Sequence, residues 1–202
     1  MTTPTYLNYA TPETLIGSAL APLDWTRSVG LVFAFSLLMA LAAQIRIQIG
    51  LVPVTGQTLV VLLTGALLGS RLGAAAMIVY VVEGVCGLPF FSGGSGGLAH
   101  LFGPTGGYLV SFPAAAFVTG AFAEHGWDRK FPTAVAAMAI GSLIILASGW
   151  SWFAIVTNTA PTTAFEVAVK PFIIGDVVKI LLAAAALPAG WALLNRKASE
   201  KN

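Results

Sequence analysis

Residues 172–194 read FIIGDVVKILLAAAALPAGWALL. A bilayer crossing takes about 20 predominantly apolar residues, and this stretch supplies 23 with two charges among them, Asp176 and Lys179. On a helix their spacing puts both side chains on one face, about 60° apart. At bilayer depth each costs roughly 2.5–3.5 kcal/mol on insertion scales. A pair this costly has either a structural partner or a ligand. The stretch therefore sets two expectations: the chain is a membrane protein, and its last apolar run carries a polar site.

Composition agrees with the first expectation. Of 202 residues, 57% are hydrophobic and 9% charged, against about 25% charged in a soluble domain. A core of this size cannot hide so much apolar surface. The net charge is +2 and there is no basic run, so no nucleic-acid partner is expected. Cys86 is the single cysteine, which excludes an intramolecular disulfide and any CxxC motif. His100 and His125 lack metal-ligand spacing, so no metal site is expected. The N-terminal stretch, residues 1–27, lacks the basic start and unbroken apolar run of a signal peptide. It reads as a loose cytoplasmic arm or as a short interfacial helix around Glu13–Leu20, the helix being favoured.

Punctuated apolar runs fall near Val29–Ile45, Gln57–Gly69, Leu72–Cys86, Thr105–Ala123, Thr133–Val156 and Phe172–Leu194. They predict an all-α integral membrane protein, a compact bundle of six transmembrane helices over residues 28–195, with a cytoplasmic tail over 196–202. The second and third runs are short for a span and are separated by Ser70 and Arg71, which predicts a tight helical hairpin. With the N-terminus inside, Arg27, Arg71, Arg129, Lys130, Arg196, Lys197 and Lys201 are cytoplasmic, and only Arg46 and Lys170 lie on the other side. Seven against two is a positive-inside bias and places both termini in the cytoplasm. The stretches RIQIGLVPVTGQ, GLPFFSGGSGGLAHLFGP and TNTAPTTAFEVAVKP then face outward as loops, and a ligand site belongs with them.

Residues 84–107 hold nine of the 22 glycines, interleaved with Pro89, Phe90, Phe91 and Pro104. Glycine at this density lets backbone approach a ligand closely and lets a loop between the third and fourth helices act as a lid. Gln57 and Thr58 stand where the chain enters the second helix, as caps or, for Gln57, as a cavity residue. Glu83 interrupts VYVVEGVCG at the outer end of the third helix, at the same depth as Asp176 and Lys179. These three either satisfy one another as an ion cluster or line a pocket that offers acceptors to N–H groups and a donor to a carbonyl or carboxylate. No catalytic set assembles: there is no G-x-S-x-G, a Gly-rich loop is a poor support for a nucleophile, and no Walker motif is present.

Three stretches together resemble one family: VPVTGQTLVVLLTGALLG, YVVEGVCGLPFFSGGSGGLAHLFGPTGGYLVSFP and PFIIGDVVK. They are similar to the BioY family, the biotin-specific substrate-binding S components of energy-coupling-factor (ECF) transporters, and the resemblance runs from about residue 29 to 194. It implies biotin as the transported ligand, captured at the outer face of a bacterial inner membrane. It also implies no cofactor, and delivery through a transmembrane coupling subunit and two cytoplasmic ATPase subunits. Asp176 and Lys179, from the Gly-Asp-x-x-Lys stretch, are implied to contact the ligand. Residues Phe90–Leu98, among them Phe91, Gly93, Gly94, Gly96 and Gly97, are implied to close over it. Gln57, Glu83, His100 and Tyr108 complete the expected site. Coupling-subunit docking in the family uses small residues on the first helix in an Ala-x-x-x-Ala pattern. This chain has Ser36-x-x-x-Ala40 instead, with Ala43 nearby, and the same spacing also serves ordinary helix packing.

Biotin gives the residues a chemical reading. Its ureido N–H groups suit Asp176 or Glu83, and its ureido carbonyl suits Lys179. Its apolar ring suits Phe90 and Phe91, and its carboxylate needs donors from loop N–H groups or His100. The rival readings are an S component for another vitamin, an intramembrane enzyme using Glu83, His100 and Asp176, and a structural subunit with no ligand.

Overall fold

A computed structural model describes residues 14–48 and 51–199, apart from the side chains of Lys197 and Ala198. Each of the six apolar runs forms a helix: α2 (Trp25–Gln44), α3 (Gln57–Leu68), α4 (Ser70–Val85), α6 (Gly106–Glu124), α7 (Phe131–Thr157) and α9 (Lys170–Ser199). Three shorter helices join them: α1 (Leu15–Leu20), α5 (Ala99–Phe102) and α8 (Pro161–Ala168). A two-stranded ribbon, β1 (Arg46–Ile47) and β2 (Val54–Thr55), stands between α2 and α3 and pairs Arg46 with Thr55.

Four helices, α2, α6, α7 and α9, are long and apolar enough to cross a membrane. With 12 and 16 residues, α3 and α4 rise only roughly 18 and 24 Å. Gly69, at φ 88°, separates them, so they form the hairpin that the sequence predicts. At its turn the Glu124 carboxylate at the end of α6 accepts from the Ser70 backbone N–H at 2.8 Å and from its hydroxyl at 2.9 Å. A carboxylate at that position satisfies donors that the helix start leaves open.

The central helix is α6, packed against α3, α4 and α7. Of its 18-residue apolar window 61% is buried, against 17% for α9 at the edge of the bundle. Close approach is achieved with small residues: a Cβ on Gly65 would stand 3.0 Å from Ala116 Cα, and one on Gly120 2.7 Å from Ser70 Cα. Leu62, Met77, Tyr80, Met138, Ile145 and Phe153 fill the interior, while Phe33, Leu41, Ile155, Ile174 and Leu182 are exposed. Large apolar side chains on the outside of a bundle are what a lipid solvent requires.

Several boundaries differ from the sequence-based expectation. The stretch TNTAPTTAFEVAVKP was expected to be an outer loop, yet Pro161 starts α8, which buries Ala164 and Ala168. Proline suits a first helical turn because its missing N–H has no partner there anyway. Helix α9 continues through Ser199, so the tail that was set to begin at residue 196 is helical for its first four residues. The N-terminal helix spans Leu15–Leu20, capped by Thr14, whose hydroxyl accepts from Gly17 N–H. The remainder of the expected arm, residues 1–13, lies outside the described residues.

Candidate functional site

A cavity of about 280 Å³ opens between the β1–β2 ribbon, the segment from Phe91 to Thr105, and helices α3, α6, α7 and α9. Its apolar wall comes from Leu109, Phe112, Leu146 and Phe172. Its polar wall comes from Thr55, Gln57, Thr58 and Lys179. Mostly apolar lining with a few convergent polar groups is the usual form of a small-molecule site.

The polar wall is a connected network. Lys179 donates to the Thr55 carbonyl at 2.7 Å and to the Thr58 hydroxyl at 2.9 Å. Asp176, one turn earlier on α9, stands 3.9 Å from Lys179 Nζ and is 4% exposed. Its two oxygens accept from Thr58, at 3.1 Å, and from Ser142 of α7. Asp176 is therefore held behind the wall, and Lys179 presents the charge to the cavity. This division follows from the α9 face: the Asp176 side chain turns toward α3 and α7, and Lys179 reaches back over the start of α3. Gln57 accepts from the Thr55 hydroxyl at 2.9 Å and donates to Tyr80 at 2.8 Å, which fixes its amide. A network so connected holds its members in place and leaves Lys179 and Gln57 each an N–H to spare.

The segment that was expected to act as a lid is tied down. Phe91 N–H donates to the Ser95 carbonyl at 2.8 Å, and Gly97 N–H to the Gly84 carbonyl at 2.7 Å. Gln44 of α2 donates to the Phe91 carbonyl at 3.3 Å, and Tyr80 of α4 to the Phe90 carbonyl at 3.1 Å. The Phe91 ring is 2% exposed and sits where any side chain on Gly84 would be. It meets Tyr80 and His100 edge to face, with centroids at 5.8 and 5.6 Å, a favourable aromatic geometry.

Of the expected site residues, Lys179, Gln57, Phe91, His100 and Tyr108 line the cavity. The Tyr108 hydroxyl donates to the Ala168 carbonyl, joining α6 to α8. Glu83 does not line it, and among the described residues it pairs with neither Asp176 nor Lys179. The reason is azimuth: Tyr80 and Gly84 occupy the buried face of α4, and Glu83 is turned off it with its Oε2 buried and unpartnered. Phe90, Gly93, Gly94, Gly96 and Gly97 are likewise outside the wall. They shape the segment that carries Phe91. Ser36, Ala40 and Ala43 are buried at 0%, 7% and 0% exposure, so as placed they serve packing within the bundle. The exposed face of α2 is made by Phe33, Leu37, Leu38 and Leu41. Sequence reasoning missed Ser142 and Tyr80, which anchor the network. Ser142 left a signal, a hydroxyl in the middle of an apolar run. It also counted Arg46 only for topology, although Arg46 lines the cavity.

A helical bundle with lipid-compatible faces and a cavity set against a buried ion pair defines a membrane-embedded binder of small molecules. The BioY family profile matches residues 11–196, and the chain belongs to that family. A probable biotin transporter BioY from Pyrococcus horikoshii is 40% identical over 153 residues, covering 76% of this chain and 89% of its own. The biotin transporter BioY of Rhizobium etli is 38% identical over 181 residues, covering 80% of this chain and 96% of its own. The 2.1 Å crystal structure of the S-component for biotin from an ECF-type ABC transporter superposes with a TM-score of 0.71 at 22% identity. That match covers 81% of this chain and 90% of the other, and shows a shared fold.

Proposed function

We propose that this chain captures biotin and carries it across the membrane as the S component of an ECF-type transporter. The observation that carries the reading is the cavity, whose polar wall of Gln57, Thr58 and Lys179 faces an apolar wall of Phe112, Leu146 and Phe172. A ureido ring fused to an apolar ring matches such a two-sided site: the carbonyl accepts from Lys179, the N–H groups donate to Gln57 and Thr58 oxygens, and the sulfur ring lies against the aromatic wall. Asp176 acts through Lys179 and Thr58 by fixing where both point.

In this reading α3 and α4 complete a set of six crossings with α2, α6, α7 and α9. The Gly-rich segment between α4 and α6 lies at the extracytoplasmic side of a bacterial inner membrane, and both termini are cytoplasmic. The positive-inside count supports that orientation. Transport energy comes from a transmembrane coupling subunit and two cytoplasmic ATPase subunits. The exposed apolar face of α2, with Phe33 and Leu41 upon it, is the surface offered to the coupling subunit.

Calorimetric titration of the detergent-purified protein with biotin tests the reading. Wild type binds, and Lys179→Ala, still folded by circular dichroism, loses at least tenfold in affinity, because a hydrogen bond from a charged donor contributes about 1.5–3 kcal/mol. Tight binding of thiamine or riboflavin with no binding of biotin would give the site to another vitamin.

A further inference from the structure

Helix α8 builds a second cavity, of about 290 Å³, that shares no lining residue with the first. Its walls are Trp150 of α7 and Pro161, Thr162, Phe165 and Glu166 of α8. The two rings meet edge to face, with centroids 6.1 Å apart and planes at 87°, so they form adjoining walls of a corner. Trp150 N–H donates to the Pro161 carbonyl at 2.9 Å, which ties α8 to α7 and fixes the indole. Glu166 pairs with Lys170, the first residue of α9, at 2.5 Å, and both side chains stay more than half exposed. The cavity thus joins two aromatic rings to a carboxylate with an ammonium beside it.

Its place is the border of the lipid-facing surface. Trp150 follows Leu143 by seven residues, two helical turns on nearly the same face, and Leu143 and Ala147 are exposed. An apolar stripe therefore runs along α7 from the cavity toward the middle of the bundle. Helix α8 is itself two-sided: it buries Ala164 and Ala168 and exposes Thr162, Phe165 and Glu166. Such helices lie in the membrane interface, where tryptophan also concentrates.

From this geometry we infer that the cavity is a phospholipid headgroup site and takes phosphatidylethanolamine. The headgroup ammonium lies against the rings of Trp150 and Phe165 and donates to Glu166, and the phosphate accepts from Lys170. A zwitterion laid antiparallel to the Glu166–Lys170 pair gives every charge a second partner of opposite sign. Phosphatidylglycerol has no cation for the rings, and the choline of phosphatidylcholine has no N–H for the carboxylate. A free amine has no chains to use the stripe of Leu143 and Ala147. The inference is independent of which vitamin the first cavity holds.

The test exchanges the full-length protein in detergent against equal amounts of phosphatidylethanolamine, phosphatidylcholine and phosphatidylglycerol with the same acyl chains. Native mass spectrometry then counts the lipids retained. Wild type retains phosphatidylethanolamine over phosphatidylglycerol by about three- to thirtyfold, the range for one cation–ring contact. Trp150→Leu and Phe165→Leu each lower that ratio. Glu166→Gln removes the preference over phosphatidylcholine, and as a surface change it leaves the fold and biotin affinity intact, so its result decides. Glycerophosphoethanolamine, which has the headgroup and no chains, does not displace the lipid at equal concentration. Equal retention of the three lipids overturns the inference, as does a Glu166→Gln protein with an unchanged preference. A wild-type preference for phosphatidylcholine also overturns it, since the carboxylate then plays no part. Displacement by glycerophosphoethanolamine would give the site to a water-soluble amine instead.

Discussion

Asp176 and Lys179 divide two tasks that the sequence shows only as a pair. Both belong to one buried network, yet only Lys179 reaches the cavity. Removing one member of a buried pair leaves the other charge uncompensated and costs about 3–5 kcal/mol, whereas replacing both is much less costly. Asp176→Asn therefore lowers thermal stability in detergent more than Asp176→Asn combined with Lys179→Met. The double variant regains stability without regaining biotin binding. A melting series over the four proteins gives the coupling; additive losses would show that the two charges are not paired. Glu83 illustrates the limit of reading depth along a helix. Its position fixes how far down α4 it lies, but a single step of about 100° separates it from Gly84, where Phe91 is seated.

At the scale of elements, α9 supplies the cavity lysine near one end and fastens the opposite side of the bundle at the other. Trp191 N–H donates to the Asp128 carboxylate at 2.6 Å, and the Arg129 guanidinium lies 4.7 Å from the centre of the Trp191 ring. Burial raises the Asp128 carboxyl above its ordinary value of 3.8, and the Trp191 hydrogen bond and the Arg129 charge offset part of the rise. A carboxyl raised on folding adds stability that is complete below 3.8 and is lost as pH climbs through the folded value. Asp128→Asn keeps an acceptor for Trp191 and removes the titration. Its melting temperature therefore exceeds that of wild type at neutral pH and matches it near pH 3.5; a less stable variant at neutral pH would refute this account. The α6–α7 connection was legible only as a basic loop, because the partner of Asp128 lies more than 60 residues away in the chain. Helix α8 escaped sequence reading for a related reason. Its Thr, Pro and Glu content reads as loop, and only the packing of Ala164 and Ala168 makes it a helix. The long apolar helices were legible because lipid demands an uninterrupted run, a constraint written locally in the sequence.

For the molecule as a whole, the exposed apolar side chains suit a lipid surround, and the proposed orientation, with both termini cytoplasmic, sets a labelling pattern. In a Cys86→Ala background, a cysteine at Lys130 is labelled by an impermeant maleimide only from the cytoplasmic side, and one at Ala160 only from outside. The reverse pattern in intact cells and inverted vesicles would invert the topology. The cavity's polar network could not be read beyond its α9 members, since it draws on α3, α4 and α7, and only tertiary packing brings Thr58, Tyr80 and Ser142 together. One carboxylate thereby ties three helices: Asp176 of α9 accepts from Thr58 of α3 and Ser142 of α7, so a ligand that draws Lys179 toward itself tugs on all three at once.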